Sequence, residues 1–308
     1  MNLRDELLAE AEKQKATPPI PKMLDLLLNR GSALSLPNTY WGDRFRNITS
    51  ELPHWRQPLE ELMKTGSLTC LSNALDNIQI IAPMPSKVFR SLSEIPLSMV
   101  NVVFLGQDPY PTADRSKDAV TAINKLSKIE IEGILGYGYE DWSLACPDTR
   151  GRITRIPYAQ GKSFAYPAIC TEPPVSYQNL RNCAITSIGK VRNMDPELMG
   201  WSKQGVLMMN SCPLLYTGSS HNPNIWTAWT CEILKAIAIA NPYCVFVLLG
   251  KTAGSFKSII LKARSIACVI ETGHPSSRNS RIGDFMNSDV FKRINEFRTN
   301  LDLSQIIW

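Results

Sequence analysis

Histidine is scarce in this chain: three among 308 residues, at positions 54, 221 and 274. Eight cysteines accompany them, scattered along the sequence with no C-x-x-C pair. Zinc sites usually draw on locally spaced Cys and His, so this pattern argues against one. Dispersed cysteines in a chain of this length read as reduced, buried thiols of an intracellular protein. Long apolar runs are missing too. Val245–Leu249 is strand-sized, far below the roughly 18 residues that span a bilayer. The N-terminus, MNLRDELLAEAEKQK, alternates charge with leucine and lacks the apolar centre of a secretion signal. These absences predict a soluble protein with no membrane association. No internal repeat or low-complexity tract is present, which excludes solenoid and fibrous classes. Charge of one sign is in small excess, 33 basic against 28 acidic residues, or +5. That balance suits a nucleic-acid partner without requiring one.

What is present points to a packed body of one large domain or about two. Hydrophobic residues make up 44% and charged residues 20%, which excludes a disordered chain. Four short apolar runs punctuate the sequence: Val100–Leu105, Gly205–Met209, Cys244–Leu249 and Ala267–Ile270. Helical patterns lie between and after them, over 226–240, 252–264 and 286–299. Continuous apolar strands alternating with helices predict a parallel sheet covered on both faces. Ligands in such folds bind beyond the carboxyl ends of the strands. Here those ends carry Asp108, Asn210 and His274. Lys251-Thr252 after the third run has no glycine-rich loop before it, so it reads as a helix start, not a P-loop. Residues 1–50 read as an N-terminal extension, and 51–308 as the compact domain. Within it, 112–157 reads as an insertion with balanced charge and some fold of its own.

The segment from Ile81 through Val88-Phe89 to Gly106-Gln107-Asp108-Pro109-Tyr110 resembles the water-activating region of the main, GQDPY-type uracil-DNA glycosylase family. Further family segments follow in order. Gly161-Lys162-Ser163-Phe164-Ala165 is similar to G-L-A-F-S, and Pro173-Pro174 falls where the proline-rich loop lies. Trp201 with Gln204–Asn210 resembles W-x-x-Q-G-V-L-L-L-N, and His274-Pro275-Ser276 matches the H-P-S of the DNA-intercalating loop. Pro111 and Arg278 depart from the usual histidine and leucine and resemble divergent viral members, notably poxviral ones. Val175 and Ser277 are departures as well.

The resemblance implies a three-layer α/β/α sandwich around a short, mainly parallel four-stranded sheet. It implies a monofunctional DNA-repair glycosylase that flips uracil out of DNA and hydrolyses its N-glycosidic bond. Asp108 and His274 are then catalytic. Gln107, Tyr110, Phe164 and Asn210 bind uracil, with Tyr110 excluding the thymine methyl and Phe164 stacking on the base. Pro173, Pro174, Ser176, Ser276, Ser277 and Arg278 contact DNA. No metal or other cofactor is implied. The expected partner is single- or double-stranded uracil-containing DNA, met by an intracellular, unsecreted monomer wherever the DNA is kept. The extension and the insertion add surface for a replication-protein partner. They also keep open a second reading, a DNA-binding or replication scaffold with little or no catalysis.

Overall fold

The central strands owe their apolar continuity to burial on both faces. In the computed structural model, which describes residues 35–76, 80–137, 139, 148, 151–216, 223–276 and 282–308, eight strands are seen. They are β1 (Ile80–Ala82), β2 (Val102–Gly106), β3 (Ala113–Asp114), β4 (Ile156–Pro157), β5 (Val206–Asn210), β6 (Leu215–Tyr216), β7 (Val245–Leu249) and β8 (Cys268–Thr272). Four of them form one sheet in the order β5-β2-β7-β8, every pair parallel. The expected "mainly parallel" sheet is therefore wholly parallel. Two antiparallel pairs, β1–β6 and β3–β4, stand outside it.

Side chains alternate along each strand between two cores. Val102 and Phe104, Val206 and Met208, and Val245 and Val247 face one side. Val103 and Leu105, Leu207 and Met209, and Phe246 and Leu248 face the other. On the second face lie α1 (Tyr40–Arg46), α2 (Ile48–Glu51), α3 (Arg56–Lys64), α4 (Ser67–Leu75) and α5 (Arg90–Ser93). The first face takes α6 (Lys117–Ile123), α7 (Lys128–Leu135), α8 (Val175–Ile188) and α9 (Met199–Ser202). Further along, α10 (Thr227–Ala240), α11 (Gly250–Gly254) and α12 (Lys257–Ala263) join the second face. The last two, α13 (Ile282–Met286) and α14 (Val290–Thr299), join the first. The result is the expected α/β/α sandwich. Among the described residues no helix is long and apolar enough to cross a membrane.

The compact body begins before residue 51, because Trp41, Phe45 and Ile48 are buried in the second core. Residues 1–34 of the expected extension lie outside the described residues. Segment 112–157 is likewise no loose appendage. Its Ala119, Ile123, Ile131, Leu135, Ile153 and Ile156 all belong to the first core. Lys87 latches it further, donating to the carbonyls of Gly133 (3.1 Å) and Ile134 and to Gln160 Oε1 (2.6 Å). The seven described cysteines form no disulfide; Cys170, Cys183, Cys212 and Cys244 are buried, but Cys231 and Cys268 are half-buried and Cys70 is exposed.

Candidate active site

Parallel strands end together, so their carboxyl ends share one crevice. Gly106 pairs with Asn210 in register, which brings the exits of β2 and β5 side by side. The two exits are laced: Ser211 N–H donates to Gly106 O (3.0 Å) and Cys212 N–H to Gln107 O (2.9 Å). Beyond them lies a cleft of about 120 Å³ whose walls include Asp108, Tyr110, Phe164, Asn210 and His274. Five side chains from four separate stretches of sequence therefore meet at one point. Gly106 makes room for this: a Cβ there would stand 2.6 Å from Asn210 Oδ1.

Each wall is held by identifiable contacts. Gln107 Nε2 donates to Asp108 Oδ2 at 2.9 Å. Gln107 itself is exposed beside the cleft and is not among its walls. The Tyr110 hydroxyl donates to the Phe164 carbonyl at 3.2 Å, and burial pushes its pKa well up, so it stays a neutral donor. Phe164 is buried with φ at +64°, a left-handed conformation that L residues rarely adopt. The loop that imposes it is tied down on both sides. Ser163 N–H donates to Met208 O (3.1 Å), and Ser91 N–H donates to Gly161 O (3.3 Å). Lys162 also lines the cleft, but its ammonium turns away to Glu94 Oε2 (2.7 Å), Glu197 O (2.7 Å) and Ser202 Oγ (2.8 Å).

His274 follows β8, with its ring centroid 5.6 Å from that of Phe164. Burial pushes its pKa down to about 4, the Asp108 charge working in the opposite direction. The imidazole is therefore neutral at ordinary pH. Its Nδ1 accepts from the Ser276 N–H at 3.1 Å, which leaves the ring proton on Nε2. The cleft thus holds a carboxylate, an amide with donor and acceptor ends, and a neutral N–H donor. Such a set can steady a positive centre on one side and accept growing negative charge on the other.

The proposed DNA-contact residues fall into three groups. Ser176 and Ser276 line the cleft. Pro173 and Pro174 do not; they lead into α8, which carries Ser176 to the cleft and whose Asn179 donates to Pro275 O at 2.7 Å. Ser277, Arg278 and His221 lie outside the described residues. His54 is exposed on a 3₁₀ turn. Cys212 was not anticipated: its buried thiol is a hydrogen-bond neighbour of the Asp108 carboxylate, and burial pushes the thiol pKa up to about 12, with Asp108 adding to the shift. Among the described residues no cluster of three or more His, Cys, Asp or Glu could hold a metal ion.

Residues 92–297 match the model of the uracil DNA glycosylase superfamily. A uracil-DNA glycosylase of Leuconostoc citreum is 30% identical over 232 residues, covering 75% of this chain and 84% of that protein. The Streptococcus mutans uracil-DNA glycosylase is 26% identical over 259 residues, covering 82% and 97%. In fold, the crystal structure of mimivirus uracil-DNA glycosylase aligns with a TM-score of 0.54 at 23% identity, covering 92% of this chain and 88% of that one. With the family model spanning the whole sheet and every cleft wall, the chain belongs to the uracil DNA glycosylase superfamily.

Proposed function

We propose that this chain excises uracil from DNA, hydrolysing the N-glycosidic bond of the flipped nucleotide and leaving an abasic site. The observation that carries the reading is that the Asp108 carboxylate and a neutral His274 line the same cleft. As the C1′–N1 bond breaks, its electron pair leaves with the base and the sugar becomes an oxocarbenium ion. Asp108 steadies that cation and orients the water whose oxygen bonds to C1′, the water's lost proton passing to the Asp108 carboxylate. His274 keeps its proton and donates a hydrogen bond from Nε2–H to uracil O2, where negative charge accumulates. Asn210 reads the O4/N3 edge, matching its acceptor and donor to those of uracil and mismatching cytosine. Phe164 stacks on the base, and Tyr110 closes the side where thymine carries its methyl. Ser176, Ser276 and the Pro173-Pro174 turn then face the DNA backbone, and flipping costs a few kcal/mol that their contacts offset.

A uracil-containing single strand isolates this chemistry, because it needs no extraction from a duplex. Excision by the wild-type chain and its collapse in Asp108→Asn are expected. No excision, or excision undiminished in Asp108→Asn, overturns the reading and leaves the DNA-binding scaffold in its place.

A further inference from the structure

Three of the four central strands deliver a chemical residue to the cleft; β7 delivers none that motif or pattern marks out. It lies between β2 and β8, and its exit is nonetheless packed against the site. Gly250 opens α11 with φ at +82°, and a Cβ there would stand 3.3 Å from His274 Cβ. Two residues on, Thr252 Oγ1 donates to Gln107 Oε1 at 3.0 Å. Gln107 Nε2 in turn donates to Asp108 Oδ2 at 2.9 Å.

The polarity of this chain is dictated by its end. A carboxylate only accepts, so the NH₂ group of Gln107 must face Asp108. The amide oxygen then points the other way and needs a donor. Thr252 supplies one from a residue anchored by the turn of a helix, whereas Gln107 is exposed and loses much rotamer freedom when held. We propose that Thr252 is a positioning residue: its hydroxyl fixes the Gln107 amide, and that amide fixes the Asp108 carboxylate for the reaction. The kinetic consequence rests on the glycosylase reading; the geometry does not.

The test compares Thr252→Val, which keeps the shape and deletes the hydroxyl, with Thr252→Ser, which keeps the hydroxyl. Single-turnover excision from a uracil-containing single strand separates chemistry from binding. For Thr252→Val the chemical step is expected to slow about fivefold, the effect of one exposed hydrogen bond, with substrate affinity changed less than about twofold. Thr252→Ser restores the rate. Because Thr252 acts through Gln107, adding Thr252→Val to Gln107→Ala costs nothing further. A wild-type rate in Thr252→Val, a serine variant as slow as the valine one, or additive losses in the double variant overturns the proposal. A second readout needs no turnover: the side-chain NMR order parameter of Gln107 falls in Thr252→Val and not in Thr252→Ser. If the wild-type chain excises no uracil, the glycosylase reading fails by itself. An unchanged order parameter then overturns the positioning role separately.

Discussion

The backbone N–H of Ser276 donates to Nδ1 of His274, so the residue two places along the same turn sets which imidazole nitrogen carries the proton. Burial reinforces the choice by holding the folded pKa near 4, against 6.5 for a free histidine. Between those two values the unfolded chain binds a proton that the folded chain does not. Acidification therefore withdraws stability from about pH 6.5 downward, and the loss from this group is complete below about pH 4. A difference of this size is worth roughly 3 kcal/mol. Urea unfolding from pH 7 to pH 4 should show His274→Gln losing less stability than wild type by about that amount. Equal losses in the two proteins would mean that His274 is not held neutral.

Gly106 and Asn210 set a second expectation. A methyl group on Gly106 would lie 2.6 Å from Asn210 Oδ1 and 3.5 Å from Phe164 Cζ. The obstacle is the end of a side chain, so the Asn210 amide swings aside while the β2–β5 pairing persists. Gly106→Ala is expected to lose about 1–3 kcal/mol of stability from overpacking. Uracil excision should fall about 10²-fold, since a displacement near 1 Å suffices for that. Denaturant titration and single-turnover rates on the same preparation check both numbers. A rate within threefold of wild type would show that Asn210 does not need its present position.

The parts of this site legible in sequence are those placed by strand periodicity. Asp108, Asn210 and His274 each follow an apolar run, and parallel strands bring such positions together whatever else the chain does. Contacts between distant segments left no comparable trace. Phe164 is reached in sequence only through a family resemblance and by no periodicity, and its left-handed backbone is imposed by Met208, Ser91 and Glu94 through residues beside it. Thr252 looks like a helix start because its partner, Gln107, is 145 residues away. The start of the compact body left little trace, because Trp41, Phe45 and Ile48 are divided between two short helices and stand among polar residues. Segment 112–157 has balanced charge and little periodicity, and only the fold reveals how much of it is core.

Glu94 and Lys162 hold the loop that carries Phe164. Glu94 Oε2 accepts from Lys162 at 2.7 Å, and its Oε1 accepts from Arg90 Nε at 2.7 Å. The Lys162 side chain is 1% exposed, and burial lowers its pKa while Glu94 opposes that shift. Removing Glu94 leaves a buried cation without its carboxylate, a loss of about 3–5 kcal/mol. Lys162→Met should cost less, because Glu94 keeps Arg90. The deficit of Glu94→Ala should shrink as pH rises through the folded values of Lys162, which lie below the lysine's free 10.5, because the uncompensated amine is then neutral in the folded protein. Chemical denaturation of both variants at pH 7 and pH 9.5 measures the difference. A larger loss in Lys162→Met, or a pH-independent deficit in Glu94→Ala, would contradict this account.

Asp114 ties the start of segment 112–157 to the turn that precedes Pro173 and Pro174. Its Oδ1 accepts from Ser116 N–H (2.8 Å), and its Oδ2 accepts from the N–H groups of Thr171 (2.8 Å) and Glu172 (3.2 Å). Burial opposes the charge, yet the hydrogen bonds from Ser116, Glu172 and Thr171 outweigh it and hold the pKa below its ordinary 3.8. The carboxylate's contribution is thus complete above that value and is lost as pH falls through the lower folded one. Asp114→Ala orphans three backbone donors and is expected to cost about 2–3 kcal/mol near pH 7. The gap to wild type should narrow in strong acid. The turn it anchors leads to Ser176 at the cleft, so duplex and single-strand substrates should respond unequally. Excision from a single strand, which depends on Asp108 and His274, should stay within about threefold of wild type. Excision from a duplex, where the proline turn must meet the backbone, should fall tenfold or more through weaker binding. Parallel assays on the two substrates decide the matter, and an equal loss on both would place the effect of Asp114 in the cleft itself.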